Sequence, residues 1–163
     1  MQRRPIEDSD RPAIAEFIER HWHSRMVMSH GRCYHPHECD GFIEWRDNRI
    51  VGLLTLRADD DCMELLTLNS TLEGEGIGSA LMLMAIDQAR QRGLSRIWLA
   101  TTNDALPAMR FYQRLGFRIV AVNIGAVDEA RRIKPQIPEV GIDGIPIHDE
   151  IMLELRLKPS LGR

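Results

Sequence analysis

The residues from Cys62 to Gly93 restrict the fold more than any other stretch of the chain. An apolar run, Cys62 to Leu68, has the character of a buried strand; polar Asn69, Ser70 and Thr71 follow, then glycines at 74, 76 and 78. Ile77, Leu81, Met84 and Ala85 then recur at helical spacing, with Asp87, Arg90 and Arg92 gathered toward the end and Gly93 at a C-cap position. Strand, glycine loop and helix in that order predict an α/β chain. Glycines just ahead of a helix let a loop turn its N–H groups inward against an anion, and the positive end of the helix dipole adds to the attraction. A pyrophosphate suits such a cradle, and a tight turn without ligand is the plain alternative.

Two well-known phosphate loops do not fit. A dinucleotide fingerprint needs G-x-G-x-x-G and an acidic residue at the end of the next strand, whereas here the spacing is G-x-G-x-G and the next strand, Arg96 to Thr101, runs into Thr102 and Asn103. A P-loop needs Lys followed by Ser or Thr after its last glycine, but Gly78 is followed by Ser79 and Ala80.

In chain order, Asp8 and Ser9 offer N-caps for a helix over Arg11 to His23, with Ile14, Phe17, Ile18 and His21 as its apolar stripe. Residues 24 to 40 read as an irregular connection broken by Gly31 and Pro36. Gly41 to Arg46 and Ile50 to Arg57 form a hairpin around Asp47-Asn48, and Asp59-Asp60-Asp61 turns the chain into the Cys62 strand. A short strand at Arg4 to Glu7 would make four antiparallel strands up to Leu68. After the glycine helix the pattern predicts strand Arg96 to Thr101, helix Ala105 to Arg114 with Pro107 in its first turn, strand Phe117 to Val122, a short helix from Gly125 to Lys134, and a closing strand Glu150 to Leu157. Pro135 to Asp149 is rich in Pro and Gly.

Composition narrows the classes. A length of 163 residues with 44% hydrophobic and 28% charged residues predicts one domain over residues 1–163, and a net charge of −3 supplies no broad pull toward nucleic acid. There is no apolar run near the roughly 18 residues a membrane span needs, and the charged N-terminus does not read as a signal peptide. Three unevenly placed cysteines suit reduced thiols, so a cytoplasmic location is expected, with no nucleic-acid and no membrane partner.

Leu66-Thr67-Leu68, five further residues, and Gly74-Glu75-Gly76-Ile77-Gly78-Ser79-Ala80-Leu81 resemble the acetyl-CoA loop of the GNAT N-acetyltransferases, whose signature is Q/R-x-x-G-x-G/A. About 25 residues on, Asn103 to Phe117 is similar to the family's N-x-x-A-x-x-x-Y-x-x-x-G-F segment. The resemblance spans roughly residues 40 to 122. It implies a mixed, mostly antiparallel sheet of about six to seven strands flanked by helices and splayed at the acetyl-CoA site. It also makes residues 123–149 an insertion before the last strand, longer than the family's usual link. Long loops are more often functional than idle. At the basic or amide position of the signature stands Glu73, with Glu75 two residues on; each carboxylate would cost on the order of 1 kcal/mol if turned toward a pyrophosphate.

The activity implied is transfer of an acetyl group from acetyl-CoA to an amine in a ternary complex. A catalytically silent acyl-CoA-binding module and an enzyme using a different acyl donor are the rivals. On this resemblance Leu66, Leu68, Asn69, Glu73, Gly74, Glu75, Gly76, Ile77, Gly78 and Ser79 bind the cofactor, Leu68 through its N–H to the acetyl oxygen, and Asn103 bonds the pantetheine arm. Tyr112 is the expected acid for the leaving thiolate, its alternative being a packed core tyrosine. Glu64, on the strand ahead of the loop and on one face with Leu66 and Leu68 by period-2 alternation, is the expected base, against a reading as a solvated outer-face carboxylate, with Glu44 as fallback. Cys33, His35, His37 and Cys39 lack the spacing of a zinc site, so no metal is expected, and Cys62 reads as a small buried hydrophobe rather than a nucleophile. Acetyl-CoA and an amine acceptor are the expected partners, with a homodimer left open.

Overall fold

The computed structural model describes residues 1–157. The chain runs β1 (Gln2–Pro5), α1 (Arg11–Trp22), β2 (Val27–Ser29), β3 (Arg32–Tyr34), β4 (Asp40–Arg46), β5 (Arg49–Ala58), β6 (Cys62–Ser70), α2 (Ile77–Gln91), β7 (Arg96–Thr102), α3 (Leu106–Arg114), β8 (Arg118–Asn123), α4 (Ala126–Ile133) and β9 (Glu150–Arg156). Seven strands form one sheet in the order β1-β4-β5-β6-β7-β9-β8. Every neighbouring pair is antiparallel except β6 and β7. The fold is the mixed α/β sheet expected from the sequence.

Local chemistry explains most of these elements. Asp47 and Asn48 both take positive φ, the geometry of a two-residue hairpin turn whose twist matches the strands it joins. Pro107 lies in the first turn of α3, where its missing N–H costs nothing. The first turn of α2 lies tight on β5 because residue 52 is glycine; a Cβ there would overlap the Ile77 side chain.

Helices on the two faces bury separate cores. Leu54, Leu56, Met63, Leu65, Leu81, Ala85, Ile97 and Leu153 pack with α2 and α3 on one face. Ile14, Phe17 and Ile18 of α1 pack with Ile43 and Leu53 on the other. His21, the fourth residue of the expected α1 stripe, stays exposed and stacks on Phe17 at 4.1 Å between ring centroids.

Three expectations are corrected. Residues 24–40 are not irregular throughout, because β2 and β3 form a hairpin about His30 and Gly31, both at positive φ. With three residues in each strand the alternation is too short to read. The last strand does not close the sheet: β9 enters between β7 and β8, leaving β8 at the edge. Third, Glu64 does not share a face with Leu68. Thr55 pairs with Thr67 but Leu56 pairs with Leu65, so Leu66 is an extra residue that bulges out of β6. A one-residue bulge reverses the alternation beyond it. Leu65 and Leu68 therefore both face α2, while Glu64, Thr67 and Asn69 face α1 and the β2–β3 hairpin.

Candidate active site

The sheet opens where the bulge sits. Parallel pairing of β6 with β7 runs from Cys62–Arg96 to Leu65–Leu99 and stops, although both strands continue. From Leu66 to Ser70 the β7 side of β6 has no ladder partner, and Ala100 to Thr102 pair only with β9. The result is a wedge-shaped gap with free backbone groups along its walls.

The glycine loop lies at the mouth of this gap. Gly74 and Gly76 adopt φ of +73° and +69°, which glycine reaches without strain, and open space lies where their side chains would be. Among the described residues the N–H groups of Gly76, Ile77, Gly78 and Ser79 donate to no backbone carbonyl. Orphan donors at the positive end of a 15-residue helix have the charge and geometry that suit an anion. Glu73 is exposed, and Glu75 is drawn aside by Arg46 at 3.4 Å, which relieves part of the expected repulsion.

A groove of about 430 Å³ lies beside the loop between α2 and α3, lined by Ser79, Phe111 and the guanidinium-bearing Arg110 and Arg114. Neither arginine forms an ion pair among the described residues. Sequence reasoning passed over both; two arginines four apart on a helix of strong amphipathic pattern were the available signal.

Tyr112 lies in the α2/α3 core, its ring 5.2 Å from Phe111 and 5.6 Å from Phe117. Burial holds its phenol well above the usual tyrosine range, so it stays protonated. Its hydroxyl makes no hydrogen bond to another described residue.

Glu64 lies on the opposite face, buried, with each carboxylate oxygen taken by a hydroxyl. Ser29 Oγ donates to Oε2 at 2.9 Å and the Tyr34 hydroxyl donates to Oε1 at 3.1 Å. Burial raises its pKa, opposed by these two hydrogen bonds and by Arg57. Both donors come from the hairpin that the sequence concealed. Glu64 also lines a cavity of about 210 Å³ with His30, Tyr34, Arg57 and Trp98.

Other expected site residues are otherwise engaged. Glu44 is buried, which by itself raises its pKa, but contacts from Arg3 at 2.7 Å and Arg46 at 2.8 Å hold it below the ordinary carboxylate range. Such a carboxylate is a poor base. Asn69 accepts a hydrogen bond from Trp22 Nε1 at 2.9 Å, joining α1 to the free part of β6. Asn103 donates to the Pro146 carbonyl at 2.8 Å and accepts from the N–H groups of His148 and Asp149 at 3.0 Å, so both ends of its carboxamide anchor the segment that leads into β9. Cys62 is half-buried, and burial followed by Asp59 raises its thiol pKa, the reverse of what a nucleophile requires. Among the described residues no group of three or more His, Cys, Asp or Glu converges to hold a metal, and no helix is long and apolar enough to cross a membrane.

Comparison with known proteins agrees with this architecture. The chain is 40% identical over 147 residues to protein YxbD of Bacillus subtilis (strain 168), covering 89% of this chain and 92% of that one. It is likewise 40% identical over 143 residues to YdhI of the same strain, covering 85% and 88%. Among solved structures, an IAA acetyltransferase from Bacillus cereus ATCC 14579 superposes with a TM-score of 0.71 at 21% identity, covering 96% of this chain and 99% of that one. A GNAT family acetyltransferase from Elizabethkingia anophelis with acetyl-CoA bound superposes at 0.61 with 24% identity, covering 73% and 76%. At such identities the two structures speak for the fold. Residues 5–117 match the family model for the acetyltransferase (GNAT) family, and with more than half of its length inside that match the chain belongs to this family.

Proposed function

We propose that the protein transfers an acetyl group from acetyl-CoA to an amine by direct attack within a ternary complex. One observation carries the reading: the gap between β6 and β7 opens directly beyond Glu64, with the orphan N–H groups of the α2 terminus at its mouth. The acetyl-CoA held in the Elizabethkingia anophelis structure supports the choice of donor.

On this reading the pyrophosphate rests on Gly74 to Ser79, with Arg110 and Arg114 nearby to meet further phosphate charge. The pantetheine arm enters the gap and bonds the unpaired edge of β6. Tyr112 and Glu64 then meet the thioester from opposite faces of the sheet. Glu64 takes one proton from the acceptor ammonium and passes it to solvent. The neutral nitrogen attacks the carbonyl carbon, the C–N bond forms and the C–S bond breaks. The second proton lost by nitrogen is balanced by one delivered to the thiolate, with Tyr112 as donor.

The raised pKa of Glu64 suits a base better than an ordinary carboxylate would, since the proton it must accept comes from an ammonium. The raised thiol pKa of Cys62 argues against an acetyl-enzyme. Release of CoA thiol from acetyl-CoA, followed across a panel of amines, tests the proposal. Acceptor-dependent release without an acetylated protein by mass spectrometry is expected. Binding of acetyl-CoA with no release for any amine would reduce the protein to an acyl-CoA-binding module.

A further inference from the structure

Arg57 and Glu64 are cross-strand neighbours of opposite charge that do not bind each other. They stand opposite on β5 and β6, so their side chains leave one face of the sheet from Cβ atoms about 5 Å apart. Opposite charges so placed ordinarily close into an ion pair. Among the described residues no carboxylate oxygen comes within 4.0 Å of the Arg57 guanidinium. Tyr34 stands between the two, its hydroxyl donating to Glu64 at 3.1 Å while the guanidinium carbon of Arg57 lies 5.7 Å from its ring centroid.

Both charged groups line the cavity of about 210 Å³ on this face. Its remaining charge is mostly positive. Arg32 forms no ion pair among the described residues, and Arg96 reaches Glu154 at 3.3 Å. The acidic rim residue Asp59 is occupied by the N–H groups of Asp61 and Cys62, each at 2.8 Å. The aromatic faces of Trp98 and Tyr34 complete the walls.

A ligand complementary to this cavity carries a cation for Glu64 and an anion for Arg57 a few bonds apart. The volume is roughly that of seven liquid waters, room enough for a small molecule carrying both charges. We propose that the acceptor is a small free amino acid, bound as a zwitterion with its ammonium on Glu64 and its carboxylate on Arg57. This identification rests on the transferase reading above. The terminal amine of a peptide or protein lacks the second group, because its neighbouring carboxyl is tied up in an amide. A planar guanidinium offers a carboxylate two parallel N–H donors, and pairing both charges offsets the cost of drawing a zwitterion out of water. On transfer the amino nitrogen gains the acetyl group and loses its charge, so the product keeps its hold on Arg57 but gives up that on Glu64, which favours its release.

The test compares amino acids with their own carboxamides, alanine with alaninamide for example, at saturating acetyl-CoA. In the native protein kcat/KM for the acid should exceed that for the carboxamide by about tenfold or more, through KM. Arg57→Gln should bring the ratio to within about twofold of unity, and Arg57→Lys, which keeps a point charge but loses the fork, should lie between. Equal use of acid and carboxamide by the native protein, or an unchanged ratio in a folded Arg57→Gln variant, overturns the proposal. If no amine is acetylated, calorimetric titration of the CoA complex with the same amino acids decides. Binding weakened tenfold or more by Arg57→Gln sustains the site while the transferase reading falls, and absence of binding removes both.

Discussion

Lys134 holds Met26 from across the molecule: its Nζ donates to the Met26 carbonyl at 2.7 Å, and to that of Trp22 at 3.1 Å. The end of α4 is thereby fastened to the end of α1, beside the hairpin that carries Ser29 and Tyr34. The ammonium is buried and has only carbonyls as partners, and burial lowers its pKa. A cation at the carboxyl end of a helix is nonetheless well placed.

Lys134→Met keeps the stem and removes the donors, leaving two carbonyls without partners. Urea denaturation should show a loss of about 2–4 kcal/mol. The difference should also depend on pH. The folded pKa lies below the unfolded value of 10.5, so between the two the unfolded chain binds more protons, and the native protein gains on the variant as pH rises through that window. A loss under about 0.5 kcal/mol would mean that water satisfies the carbonyls.

Glu64→Gln should lower turnover by about 10²–10⁴-fold, the ordinary value of a general base. Glu64 must be ionised to accept a proton, and its pKa is raised above the ordinary 4.5. The native rate should therefore fall on acidification at a pH above that value, and the variant should lack this limb. A variant rate within about twofold of the native one places the base elsewhere.

Tyr112→Phe keeps the ring against Phe111 and Phe117 and removes one proton donor. Turnover should drop by about 10²–10⁴-fold while the Kd for acetyl-CoA moves less than about threefold. An unaffected rate in rapid-quench experiments would assign protonation of the thiolate to water.

Gly76→Asp sets a charged side chain on the glycine loop proposed to hold the pyrophosphate, at a residue with φ of +69°. The rise in Tm produced by acetyl-CoA should vanish, and the unliganded variant should lose about 1 kcal/mol of stability through backbone strain. A full Tm rise in the variant would put the cofactor somewhere else.

The sequence by itself determined every element but the short β2–β3 hairpin, including the strand, glycine loop and helix beside the β6–β7 gap. These are local properties. Helical spacing from Ile77, paired turn residues at Asp47-Asn48 and a proline opening α3 act over a few residues, so they can be read where they stand. The N–H cradle was legible for the same reason. Only the tertiary structure decided what surrounds the chemistry. Ser29 and Glu64 are 35 residues apart in the chain, and Asn103 and Pro146 are 43 apart, so their pairing depends on sheet register and hairpin placement. Leu66 shows the limit most clearly. Nothing about a leucine marks a bulge, yet this one extra residue carries Glu64 to the face away from Leu68 and toward Arg57 and Tyr34, because strand alternation counts residues and register is settled by the neighbouring strand.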